Sequence, residues 1–399
     1  MRQCSRRFLW LAFALAPAVA PALAAATQPP AEESGAAAGF LKPIAAAQSY
    51  LDRYGIALAG DLQLDASRVV SGGQPRPLGL DLQDLIDANA TVDTQKLLGW
   101  SGGMLFFDVQ SHSGPNIVRE QVPALADPDN MDADAGTSLD RAWYGQDLTG
   151  GKIHVQVGLM YVDDQFFTVP YGASFVSLDF SSDASISTFV LPTYPKGSWG
   201  GDVFFHPTSH WSFSAGVFRD HETELAYDPG GALLLSEEAW QGTWRGLPYA
   251  LQLGAWLDTG RFQRFGGGER SNAHGVYVVA SDKLWQPDAA ADRGIGLFVQ
   301  LGSAPPDVAP VPRHFGAGLV WTGPLASRPH DEIGLAYGDS RLTQEADFSA
   351  SFESEIEAYY QLEVLHGLTI QPDVEYWQHP GGSSTPGTVL ALVRFMYTF

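Results

Sequence analysis

Thr388-Val389-Leu390-Ala391-Leu392-Val393-Arg394-Phe395-Met396-Tyr397-Thr398-Phe399 closes the sequence, and its reading decides the fold. Val389, Ala391, Val393, Phe395, Tyr397 and Phe399 are uniformly apolar or aromatic and recur every second residue. A β-strand turns successive side chains to opposite faces, so this segment has one greasy face. The same period fills the rest of the chain. In 55–70, Ile56, Leu58, Leu62 and Leu64 alternate with Asp61, Gln63 and Asp65. In 86–93, Ile86, Ala88, Ala90 and Val92 alternate with Asp87, Asn89, Thr91 and Asp93. In 152–161, Ile153, Val155, Val157, Leu159 and Tyr161 alternate with His154, Gln156 and Gly158. In 353–363, Ile356, Ala358, Tyr360 and Leu362 face one side, while Glu353, Glu355, Glu357, Tyr359, Gln361 and Glu363 face the other.

Alternation alone also suits a soluble sandwich with one wet face. Segment length favours a membrane barrel, because many segments run about ten residues, roughly twice a soluble strand. Aromatics fall near segment ends (Trp100, Trp143, Tyr144, Tyr161, Trp211, Trp285, Trp321, Tyr376, Trp377), as in an interfacial girdle. No long apolar run follows residue 24, so the segments must cross as a closed sheet with no edge in lipid. The expected fold is an all-β transmembrane antiparallel β-barrel of about sixteen strands over 55–399. The strands are placed near 55–68, 84–95, 102–112, 138–147, 151–162, 198–206, 210–219, 236–245, 248–258, 272–283, 294–303, 313–322, 330–340, 351–365, 367–377 and 387–399. Gaps 113–137 and 163–197 are too polar and irregular for lipid and read as loops that fold into the lumen and narrow it. Before the barrel, the spacing of Ile44, Ala47, Leu51 and Tyr54 predicts a short amphipathic helix over 43–54, started by Pro43 and stopped by Gly55.

Residues 1–24 read as a signal peptide. Arg2, Arg6 and Arg7 precede an apolar stretch from Phe8 to Val19, and Ala22-Leu23-Ala24 is a small-x-small cleavage site. Residues 25–54 form a flexible leader plus the helix. Cys4 is the single cysteine and lies in the signal, so the exported part has no disulfide. The chain carries 23 basic and 45 acidic residues; without the three signal arginines, 20 face 45, a net charge of −25. So acidic a chain excludes nucleic acid and other polyanions as partners.

Several segments, in order, resemble the carbohydrate-selective porins of the OprB type. They are Tyr54-Gly55-Ile56 with Ser71-Gly72-Gly73, Lys96 to Gly103 with its Leu-Gly-Trp core, and Pro192-Thr193-Tyr194-Pro195. Arg328-Pro329-His330-Asp331-Glu332-Ile333-Gly334-Leu335, Glu355-Ile356-Glu357-Ala358-Tyr359-Tyr360 and the stretch 370–382 follow. The resemblance implies a sixteen-stranded outer-membrane barrel of a Gram-negative bacterium, admitting glucose and related small sugars by facilitated diffusion. It also implies a periplasmic N-terminal helix and a constriction of inward loops where arginines and glutamates face the sugar. The aromatic C-terminal strand looks like the signal read by the barrel-assembly machinery. Outer-membrane lipid and lipopolysaccharide are the expected surroundings, as monomer or homotrimer. The acidic inner face departs from the more basic eyelet of the family and favours neutral sugars or cations.

Asp61, Asp65, Glu353, Glu355, Glu357 and Glu363 are therefore the expected pore-lining and sugar-contacting carboxylates, since they accept hydrogen bonds from sugar hydroxyls. Arg219 and Arg394 are placed on the inward phase as their ion-pair partners. Trp199, Trp240, Trp244 and Trp256 offer ring faces to sugar CH groups, set against ordinary girdle positions. No cofactor, metal or catalytic residue is expected. Gly99-Trp100-Ser101-Gly102-Gly103 matches a hydrolase elbow only literally, because a strand follows in place of a helix. The acidic run Asp127, Asp129, Asn130, Asp132, Asp134 lacks the ligand order and closing Glu of a calcium loop. The alternatives are a general or cation-preferring porin without a sugar site, an outer-membrane barrel lipase and a soluble β-rich lectin.

Overall fold

The computed structural model describes residues 48–74, 79–115, 117–219, 226–228, 231–287 and 293–399. Among them are sixteen long strands: β1 (Ile56–Ser71), β2 (Asp81–Asp93), β3 (Gly103–Ser113), β4 (Gly136–Leu148), β5 (Ile153–Met160), β6 (Ser198–Phe205), β7 (Trp211–Arg219) and β8 (Ala232–Trp244). β9 (Leu247–Gln263), β10 (Glu269–Trp285), β11 (Gly294–Ser303), β12 (Arg313–Thr322), β13 (Glu332–Arg341), β14 (Phe352–Leu365), β15 (Leu368–Gln378) and β16 (Thr388–Thr398) follow. Each pairs antiparallel with its sequence neighbours, and β16 pairs with β1, so the sheet closes. A three-residue piece, Ala226–Asp228, adds to the end of β9. No described helix is long and apolar enough to cross a membrane; the crossing is made by strands, whose backbone groups all pair within the closed sheet.

Register follows the alternation. On β1, Asp61, Gln63, Asp65 and Ser67 point inward, whereas Leu62, Leu64 and Val70 are exposed on the outer wall. On β16, Leu390, Leu392 and Arg394 point in, opposite the phase of Phe395. The helix before β1 is described from residue 48 and ends in a tight turn, Asp52–Tyr54, where Gly55 takes φ 77°. The expected signal peptide, the expected leader and the first part of the predicted helix lie outside the described residues.

The two ends of the barrel differ. Residues 149–152, 206–210, 245–246 and 366–367 make short connections at the end that carries the N-terminal helix. The longest connections, 114–135 and 161–197, leave from the opposite end. Outer-membrane barrels keep their short turns in the periplasm, which assigns the two ends.

The 161–197 connection folds into the barrel and forms its main apolar core. Phe166, Phe167, Phe175, Phe180, Ile186, Phe189 and Val190 pack against inward side chains of the wall, among them Phe218, Trp256, Tyr277, Phe298 and Tyr359. Phe175 meets Phe298 at 5.8 Å and Tyr359 at 4.9 Å, both edge to face. Two short helices, Leu178–Ser181 and Ala184–Ser187, are capped by Ser177 and Asp183. The wall makes room for them with glycines: a Cβ at Gly338 would overlap the Asp179 carboxylate, and one at Gly302 that of Asp183. The 114–135 connection covers a second arc, where Val122 and Ala126 pack with Val69, Trp377 and Leu390. The sequence reading took both stretches as polar; the apolar residues that seat them are spread irregularly and show no helix or strand period.

Candidate functional site: the barrel lumen

On the inner wall of β1 to β4 a polar group gathers, in which Asp61 and Arg141 keep part of their surface exposed. Register sets Asp61 opposite Asp87, Asp87 opposite Gln110, and Asp108 opposite Arg141. At Arg141 the ladder shifts by one residue, so that Asp108 and Val109 face Arg141 and Leu139, with Asp140 extra. Such a bulge re-aims the side chains beyond it. Arg141 thereby reaches Asp108 at 2.7 Å, Asp87 at 3.5 Å and Asp164 of the inward loop at 3.0 Å. Gln110 donates to Asp87 at 2.7 Å and Tyr161 donates to Gln110 at 3.1 Å. The guanidinium lies 5.1 Å from the Tyr161 ring centre and 5.4 Å from that of Phe106. Phe106 stacks on Trp143, two residues beyond Arg141, with centroids 5.1 Å apart at 23°. Arg141 keeps 18% of its side chain exposed and Asp164 37%, whereas Asp108 is covered, so the group is held from the wall and open through the guanidinium and Asp164.

The carboxylates singled out from sequence behave differently. Glu353, Glu355 and Glu357 share the inward phase of β14 but are sealed beneath the loops, Glu357 with no exposed surface at all. Glu353 accepts from the Leu125 amide at 3.1 Å and from the Gly381 amide. Glu357 accepts from the Val176 and Ser177 amides at 2.7 and 3.1 Å, and Glu355 from the Ser177 hydroxyl at 2.7 Å. The ladder thus moors both loops to the wall. Arg394 and Asp65 are also buried: the guanidinium forks onto Asp65 at 2.7 Å and onto Asp129 of the 114–135 loop at 3.0 Å. Asp129 is thereby committed to an arginine, and Asp132 accepts from Gln83. Glu363 sits half-buried by the 366–367 turn, far along the barrel from the long loops. Asp61 remains partly open beside the Arg141 group.

Arg219 is corrected. It shares the outward phase of Val217, while Ser212, Ser214 and Phe218 point in, and it is exposed at the end of β7. Trp143, Tyr161 and Trp377, read as girdle aromatics, are also corrected. Trp143 and Tyr161 belong to the lumen group, and Trp377 is buried with its indole donating to Glu375 at 2.6 Å. Trp100, Trp199, Trp244 and Trp285 stay on the outer surface. Trp256 is inward but closed off against Phe189. Ser101 lies in the turn that leads into β3, and its carbonyl accepts from Gln146. Arg141 and Asp164 carry no signal in the sequence pattern, and Trp143 enters it only as a girdle aromatic. The bulge breaks the two-residue period at the arginine, and Asp164 belongs to a loop with no period to read.

The profile of the family described as "Carbohydrate-selective porin, OprB family" matches residues 80–399. The chain belongs to the OprB family of carbohydrate-selective porins. Porin B of Pseudomonas aeruginosa is 23% identical over 344 residues, spanning 73% of this chain and 76% of that protein. The putative porin QuiX of Acinetobacter baylyi is 21% identical over 380 residues, 83% and 86% of the two chains. The high-pH structure of Pseudomonas putida OprB superposes with a TM-score of 0.82 at 20% identity, covering 89% of this chain and 97% of that one. The low-pH structure superposes at 0.61 and 19% identity, covering 89% and 96%. This OprB-family protein is thus a sixteen-stranded outer-membrane channel of Gram-negative type and not an enzyme.

Proposed function

We propose that this porin passes small neutral sugars such as glucose by saturable diffusion, with the Arg141 group as the point of contact. The observation that carries this reading is the charged cluster of Arg141, Asp87, Asp108 and Asp164, open through Arg141 and Asp164, beside the stacked rings of Phe106 and Trp143. Sugars present hydroxyls of both hydrogen-bonding senses on their edges and CH groups on their faces. A guanidinium donates, carboxylates accept, and an aromatic face takes the CH groups. Each contact is weak and solvent-shared, so a solute can enter and leave. The sealed carboxylates Asp65, Glu353, Glu355 and Glu357, with Arg394, act on selectivity through the loops they hold; Asp61 is the member that reaches the solute. Trp199 and Trp244 belong to the lipid boundary in this reading.

Around Arg141 carboxylates outnumber cations, which also supports a cation-preferring channel without a sugar site. Single-channel recording separates the two. In the sugar reading, glucose interrupts the ion current in a concentration-dependent way, and Trp143→Ala and Arg141→Ala each weaken the block several-fold. A current that glucose never interrupts leaves the general porin. We further infer export with cleavage after Ala24, insertion by the barrel-assembly machinery through β16, and lipopolysaccharide around the outer wall. Mass measurement of the membrane-extracted protein tests the first.

A further inference from the structure

The mooring ladder on β14 continues onto β15 and becomes a dense acidic knot. Glu357 and Glu375 are direct cross-strand partners, Glu355 lies two residues along the same face, and Asp373 meets Glu357 from β15. Glu355, Glu357 and Glu375 each place a carboxylate oxygen within 4.8 Å of the other two, and all three are buried. Packing alone does not account for this knot. Glu355 uses Oε2 on Ser177 and Glu375 uses Oε2 on Trp377, while Oε1 of each is buried with no hydrogen-bond partner, as is Oδ1 of Asp373. The neighbouring guanidinium of Arg394 is already forked onto Asp65 and Asp129. Buried like charges without donors are strongly unfavourable unless something positive joins them.

We propose that Glu355, Glu357 and Glu375 bind a divalent cation, calcium by the chemistry of the site. The donors are all hard oxygens, with Asp373 and the Ser177 hydroxyl beside them and neither histidine nor cysteine in the cluster. Calcium accepts six to eight oxygens in irregular arrangements, whereas magnesium demands a regular octahedron that two adjacent strands do not provide. The cation would also lock the inward loop, because Glu355 and Glu357 hold the Val176–Ser177 backbone directly.

The test is calorimetric titration of calcium chloride into chelator-treated, detergent-purified protein. The proposal expects one ion per chain, affinity lowered at least about tenfold in Glu355→Gln and in Glu375→Gln, and no change in Asp132→Asn. Binding that all variants retain equally belongs to co-purified lipopolysaccharide and overturns the proposal, as does an absence of binding. If the glutamine variants fail to fold, the wild-type protein still decides. Calcium must raise its unfolding temperature relative to chelator and must slow proteolysis near residues 176–177. Indifference to calcium in both measurements assigns the knot to shared protons.

Discussion

At the residue scale, Arg394 shows how far a correct phase can stand from a correct role. Alternation along 388–399 places it inward, and it is inward, but its guanidinium is closed beneath the 114–135 loop on Asp65 and Asp129. Replacing it by alanine leaves two buried carboxylates without their cation. Arg394→Ala should cost about 3–5 kcal/mol, read as the free energy of urea unfolding in lipid vesicles; a loss below about 1 kcal/mol means the pair is more solvated than the geometry implies. Arg141 is the more open case, 18% exposed and paired both with the covered Asp108 and with Asp164, which is 37% exposed. Arg141→Ala leaves the covered Asp108 carboxylate without its cation and should cost about 1–3 kcal/mol, less than Arg394→Ala, while raising cation selectivity, measured as a reversal potential in a salt gradient. The residue-level reading of the wall was therefore legible as direction and illegible as burial. Two-residue periodicity fixes which face a side chain takes, but whether water reaches it depends on loops that meet it from more than a hundred residues away, as Ser177 meets Glu357.

At the scale of elements, every strand left a trace in the sequence because lipid outside and polar groups inside impose alternation, and the helix stop at Gly55 follows from its positive φ. The 161–197 loop left none. Its aromatic residues bury against seven or more strands at once, a pattern with no local period. Truncating Phe175 should cost about 3–5 kcal/mol of packing and release the loop, giving higher single-channel conductance and faster cleavage within 161–197. Gly338→Ala should act in the same direction, because its methyl meets the Asp179 carboxylate. The loops should also respond to pH. Burial pushes the Asp183 carboxyl up to about 6 and that of Asp132 up to about 7. A carboxyl raised on folding favours the docked state most fully below its unfolded value near 4 and loses that contribution as pH rises through its folded value. Loop docking should therefore weaken between about pH 4 and pH 7, seen as increasing proteolysis of 114–135 and 161–197 in the intact barrel. Proteolysis that stays level over this range would mean these groups ionise without cost, and a fall would reverse the sign.

For the whole molecule, closure of sixteen strands leaves an interior that the chain itself largely fills. One arc of the inner wall is covered by an apolar loop, a second by the shorter loop, and β2 to β4 carry the charged group around Arg141. In the proposed function the β2 to β4 arc discriminates solutes by chemistry as well as by size. Liposome swelling with purified protein tests it most directly, comparing glucose with a neutral non-sugar solute of similar size, in the parent protein and in Trp143→Ala. Glucose should enter faster than its size allows, and the variant should lose this advantage while keeping the size-limited rate. Equal rates for the two solutes in both proteins would contradict it, leaving an OprB-family barrel that sieves by size alone.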